Sequence, residues 1–353
     1  MAEGRSQGAL GLSGVSSMTA HPKPAIFVPK TGDERIFAVS PAGYQVHAMH
    51  GPERHWPQTN CYADLWIEIL HRLGTEPAAA FGFTVAQDFE GDQFTFFKPP
   101  LDDLEALFGL RVTELALYDD LIGHLRQQIA RHRLVLIELD SFYMPDTRGV
   151  SYRETHGKTT IGINRLDPVA REVDYFHNDG FFHASGEDFD GLFRLLPGQM
   201  REDTLFPYAE MVKLPTAPTE ASELKATAVR LLAHHLARVP VENPVAAYRA
   251  VASAQAEVLA ERAPHAFHHY AFNTLRQLGA NFELLASHLG WIGGDFAAPE
   301  AAALRLAEGS KIAQFQLARA LRQRRFDRFD GALEPLVADY DAVIASLRRA
   351  LSR

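Results

Sequence analysis

One cysteine, Cys61, stands in the segment His55-Trp-Pro-Gln-Thr-Asn-Cys61-Tyr-Ala-Asp-Leu-Trp-Ile-Glu-Ile-Leu70. Pro57 and the polar residues after it end an extended approach. An amphipathic pattern then begins, with Leu65, Ile69 and Leu73 at four-residue spacing. The spacing predicts a helix over Cys61–Leu73, stopped by Gly74. A thiol at a helix N-terminus lies among unpaired N–H groups at the positive end of the macrodipole. Such a setting favours the nucleophilic form of cysteine. The same N–H groups can stabilise the oxyanion formed when sulfur attacks a carbonyl. Gln58 or Asn60 would supply a second, side-chain donor. The bland alternative makes Asn60 a helix cap and Cys61 a small core residue.

A sulfur nucleophile needs a base, and the base needs an orienting group. With 16 histidines in the chain, position decides rather than residue type. His156 follows a polar, turn-rich stretch, Tyr143–Thr155, and directly precedes an expected strand, Lys158–Asn164. The next expected strand, Val173–His177, follows the turn signal Arg165-Leu-Asp-Pro168 and ends in His177-Asn178-Asp179-Gly180. Antiparallel pairing with equal arms would return residues 178–179 beside His156. Asp179 or Asn178 would then hold the imidazole, with a plain turn as the other reading. His177 is the rival base, and His55 and His183 are weaker ones. For a metal, His265, His268 and His269 come closest, but Pro264, Phe267, Tyr270 and Phe272 around them read as a helix start packing aromatics. No metal site is assigned. Tyr62, Trp66 and Phe142 are available as pocket walls, and Trp56 and Tyr143 are placed on the substrate side.

Two kinds of sequence have to position these residues. Up to about residue 215, short aromatic and β-branched runs alternate with helical stretches such as Tyr118–His132. The runs are Phe81–Ala86, Gln93–Phe97, Leu134–Leu139, Lys158–Asn164 and Val173–His177, the last three expected to pair antiparallel. After Leu214-Pro-Thr-Ala-Pro-Thr-Glu220 the chain turns rich in alanine and leucine. Helical runs fit Ser222–Ala237, Pro244–Arg262, Ala266–Leu289, Pro299–Arg325 and Leu333–Leu351, with prolines at their ends. The expected class is α+β: an antiparallel-sheet domain over 21–215, then an all-α helical bundle over 216–353. Residues 1–20, small and polar, are expected to be a disordered leader, with Met18 an alternative initiator.

Composition narrows the function. A hydrophobic share of 46% and a charged share of 22% are those of a globular chain, and a net charge of −9 argues against generic nucleic-acid binding. No apolar run is long enough for a membrane helix or the core of a signal peptide. A single cysteine cannot form an internal disulfide, which fits a reducing cytoplasm.

The motifs follow one another in a telling order. A cysteine opens a helix; Leu134-Val-Leu-Ile-Glu-Leu-Asp140 and Ser141-Phe-Tyr-Met-Pro145 come next. His156 then precedes a strand containing Gly162-Ile-Asn164, and an aromatic strand ends in Asn178-Asp179. This order resembles the amino-terminal domain of the butirosin-biosynthesis acyltransferase family, a branch of the papain-like cysteine peptidase superfamily. The resemblance covers roughly residues 35–215, and beyond them only the helical character. The chain also resembles a bacterial family of about this length marked by Trp-Pro-x-Thr-Asn-Cys-Tyr, whose genes often lie near amino acid:carrier protein ligases. What the resemblance implies is a papain-like fold with Cys61 as nucleophile, His156 as base, and Asp179, or alternatively Asn178, as the orienting residue. It implies acyl transfer from a carrier-protein thioester on phosphopantetheine, with no bound cofactor, to a small-molecule acceptor. Two departures stand out: His156 is followed by Gly-Lys-Thr-Thr, and Gln58 lies only three residues before the cysteine.

A carrier-protein donor would need a basic docking surface. Arg319-Ala-Leu-Arg-Gln-Arg-Arg-Phe-Asp-Arg328 supplies five arginines in ten residues, with Arg322, Arg324, Arg325 and Arg328 as the expected contacts. A solvated helix end is the alternative. Two competing functions use the same residues: a cytosolic cysteine peptidase or amidase, and an inactive papain-like scaffold that binds a carrier protein through the helical half.

Overall fold

A computed structural model describes residues 35–201 and 203–352; the expected leader and Met18 lie outside the described residues. After a short 3₁₀ turn at Ala48–His50, helix α1 runs over Cys61–Arg72. Asn60 caps it with extended backbone and a side chain that accepts the Ala63 N–H at 2.9 Å. Asp64 in its first turn and His71 and Arg72 in its last suit the helix dipole. A 3₁₀ helix, Pro77–Ala86, leads to α2 (Leu101–Phe108), β1 (Arg111–Leu115), α3 (Leu121–Ile129) and β2 (Arg133–Asp140). Then come β3 (Lys158–Asp167), β4 (Glu172–His177), β5 (Gly180–Ser185), α4 (Glu187–Leu192) and β6 (Ala209–Lys213). The rest is helical: α5 (Ala221–Leu236), α6 (Pro244–Leu259), α7 (His265–Ala271), a π-helical segment Phe272–Arg276, α8 (Gln277–Ile292), α9 (Ala297–Gln323) and α10 (Asp327–Leu351). Among the described residues, no helix is long and apolar enough to cross a membrane.

The chain is α+β. Its strands form one six-stranded antiparallel sheet in the order β1-β6-β2-β3-β4-β5. The strands read at 134–139, 158–164 and 173–177 lie within β2, β3 and β4. Two others are corrected. Phe81–Ala86 ends the 3₁₀ helix, because small residues let its backbone lie close to α8: a Cβ on Gly82 would sit 2.8 Å from His288 Nε2. Gln93–Phe97 makes only an isolated bridge, Phe89 with Phe94. Strands β1, β5 and β6 lie outside the expected runs, and β1 has no buried residue to give it an apolar face.

Helix α1 lies on one face of the sheet, and Gly162 in β3 makes room for it. A Cβ there would stand 3.1 Å from Leu65 and 3.4 Å from both Ile69 and Leu136. A second core is centred on α8, which is buried almost all round. Trp291 packs against both cores, and the sheet-side core reaches the helical half at Trp56. Its indole Nε1 donates to the Ala307 carbonyl at 3.1 Å, and a Cβ on Gly279 would lie only 2.4 Å from that nitrogen. Gly279→Ala should therefore destabilise the protein by about 1–3 kcal/mol through overpacking, although alanine is the better helix former by about 1 kcal/mol. Urea unfolding measures this, and a variant as stable as the wild type would contradict the described joint.

Candidate active site

The approach to Cys61, residues 44–60, has little regular structure, so its backbone polar groups need partners from elsewhere. Buried charges supply them. On α1, Glu68 accepts the Tyr44 hydroxyl at 2.7 Å and the His47 N–H at 3.0 Å, and lies 2.6 Å from His50 Nδ1. One turn earlier, Asp64 accepts both the N–H and the hydroxyl of Thr59, at 2.8 and 2.6 Å, and lies 3.5 Å from His50 Nε2. From the helical half, Glu283 on α8 accepts the N–H groups of His55 and Trp56 at 2.9 and 2.8 Å. Arg276, the last residue of the π-helical segment, donates to the carbonyls of Thr59 and Gln58 at 3.1 and 2.8 Å. Burial pushes the His50 imidazole down, but its bonds and charge pairing with Asp64 and Glu68 outweigh this and raise it to about 9. Burial lowers the Arg276 guanidinium, with Asp64 opposing.

Cys61 is half-buried and lies one turn before Leu65, on the stripe of α1 that faces β3. Phe176 pairs with Gly162, so the turn at residues 178–179 lies beside the start of β3. Gln58 donates from Nε2 to Asp179 Oδ2 at 3.0 Å, which brings the approach loop to that same end. There His156 precedes β3, and its Nδ1 lies 2.6 Å from Asp140 Oδ2. Asp140 ends β2 opposite Lys158, on the Gly162 face by alternation. Its other oxygen accepts the N–H groups of Phe142 and Gly157 at 3.1 and 3.2 Å, which fixes the carboxylate. The Phe142 ring stacks on the imidazole, centroids 4.4 Å apart and planes at 15°. With Nδ1 engaged, Nε2 is the nitrogen available to move a proton. A cleft of about 530 Å³ opens beside the pair, lined by Asp140, Tyr143, His156, Lys158, Gly191 and Arg194. Cys61 is not among its walls.

Several expected placements change. The carboxylate on His156 is that of Asp140, not Asp179, because β2 and not the β4–β5 turn flanks the histidine. Asp179 instead holds Gln58. Asn178 is the positive-φ residue (φ 45°) of a two-residue hairpin turn closed by the His177–Gly180 pair, a backbone role. His177 is buried with both ring nitrogens engaged, by Asp146 at 2.6 Å and Thr159 at 2.7 Å, so it cannot serve as the rival base. Asn60 is buried, and its side chain accepts the Ala63 N–H and donates to the Phe97 carbonyl, the role of a helix cap. Gln58 is exposed, and the bond to Asp179 uses one of its two Nε2 hydrogens, so it can donate the other. Trp56 is core rather than pocket wall, whereas Tyr143 does line the cleft, pressed on Gly191, where a Cβ would come within 2.0 Å of its ring. Arg322, Arg324, Arg325 and Arg328 are all exposed around the α9–α10 junction. Arg324 pairs with Glu261, and Arg325 lies 3.5 Å from Asp327. The signal for Asp140 was present in the sequence: the run from Leu134 ends on it, one strand away from His156.

Comparison with known families places two consecutive matches on the chain. Residues 45–214 match the DUF1839 N-terminal domain and residues 221–349 match the DUF1839 C-terminal domain, so the chain belongs to the DUF1839 family. No curated protein matches it.

The buried charge cluster makes stability depend on pH in one direction. His50 is held above its ordinary 6.5, so its stabilisation is fully present below that pH and is lost as pH rises through about 9. Against His50→Gln, the wild type should show an advantage of about 2–3 kcal/mol near pH 6 that shrinks towards pH 9. Denaturant midpoints across that range measure it, and an advantage that grows with pH would contradict the pairing. Arg276→Gln should cost about 1–3 kcal/mol and slow alkylation of Cys61 by iodoacetamide, because the loop carrying the cysteine loses two carbonyl anchors. An alkylation rate equal to the wild type's would show that the clamp does not position the thiol.

Proposed function

We propose that this member of the DUF1839 family is a papain-like cysteine acyltransferase of the reducing cytoplasm. It takes an acyl or aminoacyl group from the phosphopantetheine thioester of a carrier protein onto Cys61 and passes it to an acceptor. The observation that carries this reading is a cysteine at the capped start of α1 whose approach loop is bonded, Gln58 to Asp179, at the end of the sheet where the His156–Asp140 pair stands. In the first step His156 takes the thiol proton at Nε2 and Sγ attacks the thioester carbonyl. The carbon–sulfur bond to pantetheine breaks, and its thiol leaves with the proton from His156. In the second step an amine, alcohol or thiol attacks the Cys61 thioester, gives its proton to His156 and restores the cysteine, which is reprotonated. Asp140 keeps Nδ1 protonated and the ring oriented. The Cys61 N–H and the Gln58 amide, steadied by Asp179, would take the oxyanion. Thiol-to-thiol exchange is nearly neutral in free energy, so the enzyme contributes positioning above all.

A second reading, a papain-like scaffold without catalysis, draws on one observation: Cys61 lies outside the walls of the cleft that holds His156. Intact-mass measurement separates the two. Incubation with a panel of aminoacyl- and acyl-pantetheine thioesters should add the mass of one acyl group to the wild type and none to Cys61→Ser. Asp140→Asn should slow adduct formation by about 100-fold or more, and Asp179→Asn, which acts through Gln58, by about tenfold. No adduct from pH 6 to 9, a span over which a reactive thiol (pKa roughly 3.5–7.5) becomes largely ionised, together with a Cys61 inert to iodoacetamide, would leave the scaffold reading in place.

A further inference from the structure

Outside the site, one exposed surface combines apolar and cationic groups beside the approach loop. The inner stripe of α9, with Leu306, Ser310, Ala313, Leu317 and Ala320, is buried. On the outer side Ile312 and Phe315, three residues apart on one face, are 51% and 65% exposed. Arg319 and Arg322 follow at spacings of four and three and are exposed on the same face. From Gly309 to Arg325 the chain carries Lys311, Arg319, Arg322, Arg324 and Arg325 and no carboxylate, within a protein of net charge −9. Arg324 and Arg325 are already paired with Glu261 and Asp327, whereas Arg319 and Arg322 hold no ion pair among the described residues. Lys311 sits with its Nζ 4.1 Å over the Trp56 indole, five residues before Cys61, so this face begins next to the loop that carries the nucleophile. Glu308, one turn before Ile312, is the neighbouring carboxylate and bounds the patch at its other end.

We infer that Ile312, Phe315, Arg319 and Arg322 on α9 form the docking surface for an acidic, phosphopantetheine-bearing carrier protein. The inference rests on the proposed acyl transfer and names where its donor sits. It moves the contact upstream of the arginines that the sequence favours, since two of those are neutralised within the chain. Two apolar side chains supply contact area, and two free guanidiniums select and orient an acidic helix. The general acidity of the rest of the chain opposes an anionic membrane or a nucleic acid as occupant.

The test is a fluorescence-anisotropy titration of the full chain against a labelled holo acyl carrier protein. The wild type should bind in a salt-dependent manner. Arg319→Glu/Arg322→Glu and, separately, Phe315→Glu should each weaken binding by about tenfold or more, while Arg324→Glu changes it by less than about twofold. These positions are exposed, and unchanged melting temperatures confirm that the variants fold. A wild type that does not bind, or variants that bind as it does, overturns the surface. So does sedimentation in which Phe315→Glu turns a wild-type dimer into a monomer, because the face would then join two copies. Acylation of Cys61 by a small pantetheine thioester is scored separately: its failure removes the function, and the binding titration alone judges the surface.

Discussion

The structure turns on a group of buried charges that hold a loop with little regular structure of its own. Asp64 and Glu68 on α1, Glu283 on α8 and Arg276 beside it take up the N–H and carbonyl groups of residues 47 to 59. Burying such groups is costly unless each finds a partner. Here His50 balances the two α1 carboxylates, and the loop backbone satisfies much of the rest. The cluster is therefore cooperative: loss of one member leaves another buried and unpaired, which costs more than the bond itself.

That arrangement explains why the two halves belong in one chain. The sheet half contains the cysteine, the histidine and Asp140, but the segment leading into Cys61 is held from α8 as much as from α1. Trp56 fills the joint, with its indole on Ala307 and its ring against Gly279, so the helical half supports the segment leading into Cys61 rather than being an appendage. A cysteine at a helix start needs a defined approach if its sulfur and the free N–H groups are to face one carbonyl. The loop clamp provides that definition.

Much of this was legible in the sequence, for identifiable reasons. The helix starting at Cys61 showed in the spacing of Leu65 and Ile69, and β2, β3 and β4 showed in runs of β-branched and aromatic residues. The 3₁₀ helix at Pro77–Ala86 did not, because an apolar run of ten residues suits a strand as well as a helix, and only packing against α8 decides. The partner of His156 was misassigned because a hairpin points to the strand that follows, whereas a central strand has two neighbours. Asp140 lies on the preceding one, sixteen residues back. The clamp itself joins residues more than two hundred positions apart, as in Arg276 with Thr59 and Glu283 with Trp56, and no local pattern records such pairs.

The most direct test of the account is the rate at which Cys61 reacts with iodoacetamide near pH 6 in the wild type and in His156→Ala, both confirmed as folded. If histidine and cysteine work as one unit at the end of the sheet, the wild type should react about ten times faster or more, since the imidazole accepts the thiol proton. Equal rates would mean that His156 does not act on Cys61, and the catalytic reading would fail.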